Sequence, residues 1–250
     1  MKISLLLIGD EIIQGEREDT NAHFVISMLK RKHLYLSKLL IVGDDENSIK
    51  EGLLFLLNCS DIVITSGGLG LTPDDITRLS ISKTLKKPLI KDKKTQDYVL
   101  KSLKRIGRKI DQNHLNRLSY LIEGAMPIEN RVGVAPGMHI MVNNKQIFVL
   151  PGVPIEFQDM YTYFVFPFLK SGREIFEKTF LVKLKEADLV DLLELIEKKY
   201  LIKTASYPPV LGDKLLKIKL IGDKDAVYKA SEYFKTFLKN RKTDFREEIN

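Results

Sequence analysis

The segment from Thr65 to Asp75 carries the residue types of an anion-binding loop: Thr-Ser-Gly-Gly-Leu-Gly-Leu-Thr-Pro-Asp-Asp. Its glycines, Gly67, Gly68 and Gly70, allow a sharp backbone turn with accessible N–H groups. Thr72 followed by Pro73 and two acids predicts a helix that begins here, with its free N–H groups and positive dipole end facing the same space. The alternative is a tight turn before a well-capped helix. The glycine spacing matches neither a P-loop nor a dinucleotide-binding fingerprint.

Two further segments place carboxylates directly after strand-like apolar runs. Gly9-Asp10-Glu11 ends the first run and leads through Gly15 to Asp19-Thr20-Asn21, and Gly43-Asp44-Asp45-Glu46 ends the second run. Helix capping is the alternative interpretation for Asp19–Asn21 and for the acids after Gly43.

Together these segments predict a metal ion. The acids of the three loops would surround a phosphate and repel it; they are Asp10, Glu11, Asp44, Asp45, Asp74 and Asp75. A hard divalent cation such as Mg²⁺, held by one or two carboxylates and by phosphate oxygens, would remove the repulsion. A carboxylate at this place could also act as a general base in metal-assisted attack on a phosphoanhydride.

Strand-like and helix-like segments alternate in the first part of the chain. This order predicts a mostly parallel sheet with helices on both faces, in which ligands bind at the carboxyl ends of the strands. The predicted strands are Ile3–Ile8, Leu34–Val42, Asp61–Thr65, Gly137–Val142 and Gln146–Leu150, the last two joined through Asn143-Asn144. The predicted helices are Asn21–Lys32, Glu46–Leu57, a helix from Thr72, Lys91–Gln112 and Ile155–Leu169.

The domain organisation is expected to be a large α/β domain over residues 1–170 and a small α+β module over 174–240, joined by Ser171-Gly172-Arg173. The module has a β-α-β-β-α order that predicts a ferredoxin-like fold. Its predicted elements are Lys178–Lys185, Ala187–Lys199, Ile202–Tyr207, Leu215–Ile221 and Lys224–Leu238. Residues 241–250 are predicted to be a polar, frayed tail.

Composition narrows the class of protein. The 250 residues carry a formal net charge of +7, but the basic residues of 83–109 follow no nucleic-acid-reading motif, so nucleic-acid binding is not expected. A solvated helix face, or a rim that attracts an anionic ligand, explains them. The sequence has no apolar run long enough to span a membrane, and its single cysteine, Cys59, favours a reducing, cytoplasmic compartment.

Five motifs in this order resemble the amino-terminal domain of the CinA (competence/damage-inducible protein A) family, which has the molybdopterin-binding fold of the MogA, MoaB and MoeA proteins. They are Gly9-Asp10-Glu11…Gly15…Asp19-Thr20-Asn21, Val42-Gly43-Asp44-Asp45, Gly67-Gly68-Leu69-Gly70-x-Thr72-x-Asp74-Asp75-x-Thr77, Gly133-x-Ala135-Pro136-Gly137 and Leu150-Pro151-Gly152-Val153-Pro154-x-Glu156. Three positions depart from the family pattern: Leu71, Arg78 and Ile122. The sequence also ends without the deamidase domain of full-length CinA, so amidohydrolase activity on nicotinamide mononucleotide is not expected.

The resemblance implies a small-molecule ligand, a nucleotide or pterin phosphate, and metal-dependent hydrolysis of ADP-ribose or a related dinucleotide diphosphate. In this reading Asp44, Asp45 and Asp75 are catalytic, and Asp10, Asp44 and Asp75 hold Mg²⁺, Mn²⁺ or Co²⁺. The residues expected to bind the ligand are Gly9, Asp10, Glu11, Asn21, Ser66, Gly67, Gly68, Gly70, Thr72, Asp74, Pro151 and Gly152. The alternatives are a molybdopterin-binding protein of molybdenum cofactor biosynthesis and a non-catalytic nucleotide sensor. No organic cofactor is expected to be required, molybdopterin remains an alternative ligand, and relatives imply a homo-oligomer.

Overall fold

The computed structural model describes residues 1–209 and 215–248. The chain divides into two compact units, Met1–Gly172 and Arg173–Asn250. None of the helices in the described ranges is both long and apolar enough to cross a membrane.

The first unit is built on a six-stranded sheet with the order β2-β1-β3-β8-β7-β6. Its strands, with a separate antiparallel pair β4–β5, are β1 Ile3–Ile8, β2 Leu36–Val42, β3 Ile62–Ser66, β4 Leu89–Lys91, β5 Tyr120–Ile122, β6 Met126–Ile128, β7 Gly137–Val142 and β8 Lys145–Leu150. The β2-β1-β3-β8 part is parallel, and β7 and β6 continue it in antiparallel pairing. The predicted fold class, a mostly parallel α/β sheet, is confirmed.

Helices cover both faces of this sheet. They are α1 Asp10–Ile13, α2 Asn21–Lys30, α3 Glu46–Cys59, α4 Thr77–Leu85, α5 Lys93–Ile106, α6 Gln112–Ser119 and α7 Pro154–Met160, which continues as a wider π-helical turn over Tyr161–Val165. Strand β1 explains the two layers: Leu5 and Leu7 pack in one apolar cluster with α2 and α7, while Leu6 and Ile8 pack in another with α3 and α4. Because both faces of the strand are buried, its sequence is continuously apolar instead of alternating.

The hairpin between β7 and β8 forms where it was predicted. Asn143 and Asn144 both have positive φ, 48° and 63°. Two such residues match the twist of the flanking strands, and asparagine tolerates this conformation better than most residues.

The helix predicted to begin at Thr72 begins instead at Thr77. The carboxylate of Asp75 accepts hydrogen bonds from the backbone N–H groups of Gly70 and Thr72, so the intervening residues form a closed turn and not a first helical turn. Other predicted ends shift by a few residues. Helix α5, for example, stops at Ile106 because Gly107 adopts a left-handed conformation (φ 66°).

The second unit is a two-layer α+β module with an antiparallel sheet in the order β10-β11-β9-β12. Its elements are β9 Phe176–Val182, α8 Val190–Tyr200 after a 3₁₀ turn over Glu186–Asp188, β10 Lys203–Tyr207, β11 Leu216–Gly222, α9 Lys224–Asn240 and β12 Phe245–Glu248. Alternate residues of the central strands, including Phe180, Ile218 and Leu220, are fully buried against the two helices.

The prediction of a frayed tail is wrong for residues 245–248. Strand β12 pairs with β9, placing Phe245 opposite Val182 and Glu247 opposite Phe180. Glu247 accepts hydrogen bonds from Lys178 (2.5 Å) and forms an ion pair with Lys235 (2.7 Å). The last two residues of the predicted tail, 249 and 250, lie outside the described residues.

Glu247→Gln is expected to destabilise the second unit at neutral pH by about 1–3 kcal/mol, because it removes the negative charge between Lys178 and Lys235 and replaces one of their two acceptor oxygens with an NH₂ donor. Burial alone would raise the pKa of Glu247, but hydrogen bonds from Lys178 and Lys235 outweigh it and lower the pKa. A carboxylate with a lowered folded pKa stabilises above its unfolded value, about 4.3, and this contribution is lost as the pH falls through the folded pKa. Amide hydrogen exchange of β9 at pH 7 measures the loss, and the same measurement repeated at successively lower pH, below about 4.3, should show the difference between the two proteins shrinking.

The matched control is Glu194→Gln. Glu194 pairs with Lys198 on the exposed side of α8, where both side chains are more than 60% accessible. Its loss is expected to change the exchange free energy by less than about 0.5 kcal/mol. Equal effects of the two variants would show that β12 adds no stability through Glu247.

Candidate functional site

A cavity of about 740 Å³ opens where the parallel strands of the first unit end. Its walls come from the segments after β1, β2, β3 and β8, which contribute Glu11, Asp44, the Gly67–Gly70 loop and Pro151–Pro154. Carboxyl ends of parallel strands are the usual ligand site of such sheets, since the loops there diverge and leave a crevice.

The structure brings most of the predicted site residues to this cavity. Those that line it are Glu11, Asn21, Asp44, Ser66, Gly67, Gly68, Gly70, Asp74, Asp75, Pro151 and Gly152. Four other predicted residues, Gly9, Asp10, Asp45 and Thr72, are not among its lining residues.

Two positions of the loop after β3, Gly67 and Gly68, have room for glycine only. Gly67 has φ 119°, and a Cβ on it would lie 2.0 Å from the carbonyl oxygen of Ile8. Gly68 has φ 63°, and a Cβ there would lie 2.1 Å from Oγ1 of Thr77. Both the conformation and the close approach of neighbouring atoms exclude a side chain.

The N–H groups of this loop divide into two sets. Gly67 donates to the carbonyl oxygen of Leu150, and Gly70 donates to Asp75. Within residues 1–209 and 215–248, no acceptor is recorded for the N–H groups of Gly68 and Leu69. Adjacent free N–H groups in a cavity wall are the donors that an anion requires.

Asp75 closes the loop. Its Oδ1 accepts from the Gly70 N–H (2.8 Å), and its Oδ2 accepts from the N–H (2.8 Å) and the hydroxyl of Thr72. Both oxygens are therefore engaged within the loop, and the role of Asp75 as a metal ligand or catalytic group stays a prediction.

Arg117 binds the same loop, and Arg78 in turn binds Arg117. Arg117 donates to the carbonyl oxygens of Leu71 (3.0 Å) and Thr72 (3.4 Å), and the buried Arg78 donates to the carbonyl oxygen of Arg117 (3.1 Å). Burial lowers the pKa of Arg78 to about 10, against the opposing effect of Asp75, so the side chain stays charged at neutral pH. Arg78 departs from the family pattern in sequence, and here it supports the glycine loop.

Asn21 ties the first loop to the ends of two strands. Its Nδ2 donates to Oγ of Ser66 (3.0 Å) and to the carbonyl oxygen of Gly152 (2.9 Å). Asp19 accepts from the N–H groups of Asn21 and Ala22, as the capping interpretation predicts. The Asn21 amide thus positions the loops after β1, β3 and β8 relative to one another.

The acids after β1 and β2 form a like-charged cluster. Asp10 and Asp44 exchange hydrogen bonds: each carboxylate accepts from the backbone N–H of the other, at 3.1 and 2.9 Å. Burial raises the pKa of Asp44, and the negative charges of Asp10, Glu11 and Asp74 raise it further, against the hydrogen bond from Asp10. The charged neighbours that act on Asp44 are all acidic, which makes the cluster favourable for a cation.

The side chain of Asp45 does not line the cavity. Its carboxylate accepts from the N–H of Ser48 (2.9 Å) and caps α3, and hydrogen bonds from Ser48 lower its pKa. The capping interpretation therefore holds for Asp45, whereas Asp44 lines the cavity.

The carboxylates of the cavity can hold a divalent metal only when a bound ligand supplies further oxygen atoms. The described ranges contain no group of three or more His, Cys, Asp or Glu side chains arranged to hold a metal ion. Mg²⁺, however, is commonly held by one or two carboxylates, waters and substrate phosphates, so a complete protein ligand set is not required. Asp44, with its acidic neighbours, suits that mode of binding.

Several lining residues were not predicted as site residues. Arg17 and Arg108 add positive charge, Glu156 adds a carboxylate, and Leu103, Ile106, Ile110, Val132 and Val134 form an apolar wall. Glu156 is visible in sequence only as part of a motif, and Arg108 only as part of a basic run. The motif that begins at Gly133 and the possible basic rim over residues 83–109 point only loosely to this region, and neither indicates the apolar wall that α5 and residues 132–134 form.

A model of the family described as "Probable molybdopterin binding domain" matches residues 4–171. The chain belongs to this molybdopterin-binding domain family. The match covers the six-stranded sheet and all the loops that form the cavity.

Relatives extend the assignment to the CinA-like branch. A protein of Pyrococcus furiosus is 32% identical over 254 residues, covering 99% of each chain, and a CinA-like protein of Thermosipho melanesiensis is 35% identical over 80% of this chain and 50% of its own. The crystal structure of "the protein CinA with unknown function" from Thermoplasma acidophilum is 30% identical, with a TM-score of 0.61 over 67% of this chain and 98% of that one. The chain thus spans about half the length of the CinA-like relative, and the predicted CinA resemblance is confirmed.

Gly67→Ala is expected to lower the free energy of unfolding of the first unit by about 2–4 kcal/mol, because a Cβ collides with backbone in a conformation that only glycine adopts easily. Gly107→Ala is the matched control: its φ is also positive, at 66°, but a Cβ there meets nothing within 4 Å. We expect it to cost about 1 kcal/mol, from backbone strain alone. Urea unfolding followed by circular dichroism measures both, and similar losses would contradict the close approach at Gly67.

Proposed function

We propose that this member of the molybdopterin-binding domain family hydrolyses the diphosphate of ADP-ribose, or of a related compound that joins a nucleoside or pterin through a diphosphate, with the help of a divalent metal. The observation that carries the proposal is the pairing of free loop N–H groups with an acidic cluster in one cavity. The N–H groups of Gly68 and Leu69 suit phosphate oxygens, whereas Asp44 and its acidic neighbours would repel them. A ligand that satisfies both walls is a phosphate accompanied by a cation.

A divalent cation held by Asp44 and the ligand's phosphates would neutralise the diphosphate and polarise the bond to be broken. Asp10 assists by fixing the Asp44 carboxylate through their exchanged hydrogen bonds. Gly68 and Leu69 donate to the phosphate oxygens, and the charges of Arg17 and Arg108 draw the anion into the cavity.

The Glu11 carboxylate lines the same cavity and is the group we assign as general base. It takes a proton from the attacking water as the water oxygen bonds to one phosphorus and the bridging P–O bond breaks. With ADP-ribose the products are AMP and ribose 5-phosphate. The apolar wall holds the heterocycle and keeps bulk water away from it.

The family match itself favours a second candidate, binding of molybdopterin without hydrolysis. This candidate predicts that a pterin copurifies with the protein and is detected by its fluorescence. Nucleotide binding without AMP release, unchanged by substitution of Asp44, would favour the non-catalytic alternative.

The deciding experiment incubates the full chain with ADP-ribose and Mg²⁺, Mn²⁺ or Co²⁺, and separates the nucleotides by chromatography. Release of AMP with at least one metal supports the proposal, and it is contradicted if neither ADP-ribose nor its guanine counterpart GDP-ribose is hydrolysed with any of the three metals. Because the protein supplies only part of the ligand set, the metal is expected to bind measurably only when nucleotide is present.

Asp44→Asn is expected to reduce hydrolysis by about 100-fold or more, because it removes the half-buried charge that would hold the cation. Stability should be unchanged or slightly higher, since a like-charge repulsion is relieved. Asp45→Asn is the matched control: it removes the same charge from the neighbouring residue, keeps the helix cap and should leave activity intact. Equal loss in both variants would mean that net charge, and not the position of Asp44, determines the rate.

A further inference from the structure

The apolar wall of the cavity contains one carboxylate, Glu156. It lies in the first turn of α7, and it lines the cavity together with Leu103 and Ile106 of α5 and Val132 and Val134 of the loop before β7. These apolar side chains suit a flat ring, and one polar group among them can determine which ring binds.

Three features fix the position of this carboxylate. Asn130, which is only 1% exposed, donates from Nδ2 to Oε2 of Glu156 (2.5 Å) and to the carbonyl oxygen of Ala135. The amide oxygen of Asn130 accepts from the N–H groups of Val132 and Gly133. At Gly133 a Cβ would lie 2.1 Å from the carboxyl carbon of Glu156, so the absence of a side chain there makes room for the carboxylate.

The other oxygen of Glu156 is left for a ligand. Arg105 lies close enough to act on the carboxylate electrostatically, but its Nη2 donates to the carbonyl oxygens of Asn130 and Gly133. Within residues 1–209 and 215–248, Oε1 of Glu156 has no recorded hydrogen-bond partner. Burial raises the pKa of Glu156, against the hydrogen bond from Asn130 and the charge of Arg105, so ionisation is costly until a donor arrives.

We propose that Glu156 recognises the heterocycle of the ligand through adjacent N–H donors, the edge that guanine and pterin share. In both rings a ring N–H lies next to an exocyclic amine, and Oε1 of Glu156, which has two lone pairs, can accept from both groups. Adenine offers one donor beside a ring nitrogen lone pair, which a carboxylate repels. The inference rests on the proposed function in one respect: the ligand must place its phosphates on the Gly68–Leu69 loop and its ring on the apolar wall.

Calorimetry with the full chain and Mg²⁺ tests the base preference, with GDP, ADP and 6-hydroxymethylpterin diphosphate as probes. GDP or the pterin diphosphate is expected to bind about ten-fold or more tightly than ADP. Whichever of the two binds more tightly identifies the source of the shared edge. Equal binding of all three, or tighter binding of ADP, overturns the inference, and so does binding of none.

Glu156→Gln tests the residue itself. The amide oxygen can still accept from Asn130, while the amide nitrogen presents a donor to the cavity. The preferred ligand should lose about ten-fold or more in affinity, whereas ADP should bind as well as before or better. A structural role alone would weaken all three ligands together, and that result overturns the assignment.

Asp159→Asn is the control on the same helix. Asp159 pairs with Arg131 and is not among the cavity-lining residues, so removing its charge should leave the ratio of GDP to ADP affinity unchanged. The hydrolysis assay separates the two proposals. AMP release without base preference overturns the role of Glu156 alone, and selective binding without hydrolysis of either ADP-ribose or its guanine counterpart overturns the hydrolase alone.

Discussion

The carboxylate of Asp75 determines the shape of the loop on which the cavity depends. It accepts hydrogen bonds from the backbone N–H groups of Gly70 and Thr72. The N–H groups of Gly68 and Leu69 have no acceptor in the described part of the chain. Gly67 can lie against the carbonyl of Ile8 only because it has no Cβ. A loop closed by one carboxylate holds its donors in place before any ligand arrives, which lowers the cost of binding.

One wall of the cavity favours an anion and another favours a cation. Free N–H groups, Arg17 and Arg108 favour an anion, while Asp44 is half-buried beside three other acids that raise its pKa. Such an arrangement costs stability in the empty protein and is retained where function requires it.

The sequence predicts the fold well because burial on both faces produces continuous apolar runs such as Ile3–Ile8 and Ile62–Ser66. It also predicts which loops meet, since parallel strands end at one edge. The sequence-based prediction fails where one local pattern is compatible with two different backbone structures. A hydroxyl followed three residues later by an acid is typical of a helix cap, and at Thr72–Asp75 the same pair closes a turn instead. Strand β12 was missed because Phe-Arg-Glu-Glu has the polarity of a tail, and only pairing with β9 makes it a strand.

The parts of the site that sequence does not reveal are those made by contacts far apart along the chain. Arg117 reaches a loop 45 residues before it, and Asn130 fixes a carboxylate 26 residues after it. Both contacts hold groups in position without belonging to a recognisable motif. The cavity therefore has two parts. Most motif residues form the part that would bind phosphate, and residues outside the motifs form most of the wall against which the ring would pack. A family that keeps its motifs keeps Glu156 and the phosphate loop, and it can still change the ring that it binds through wall residues outside the motifs, such as Leu103 and Val132.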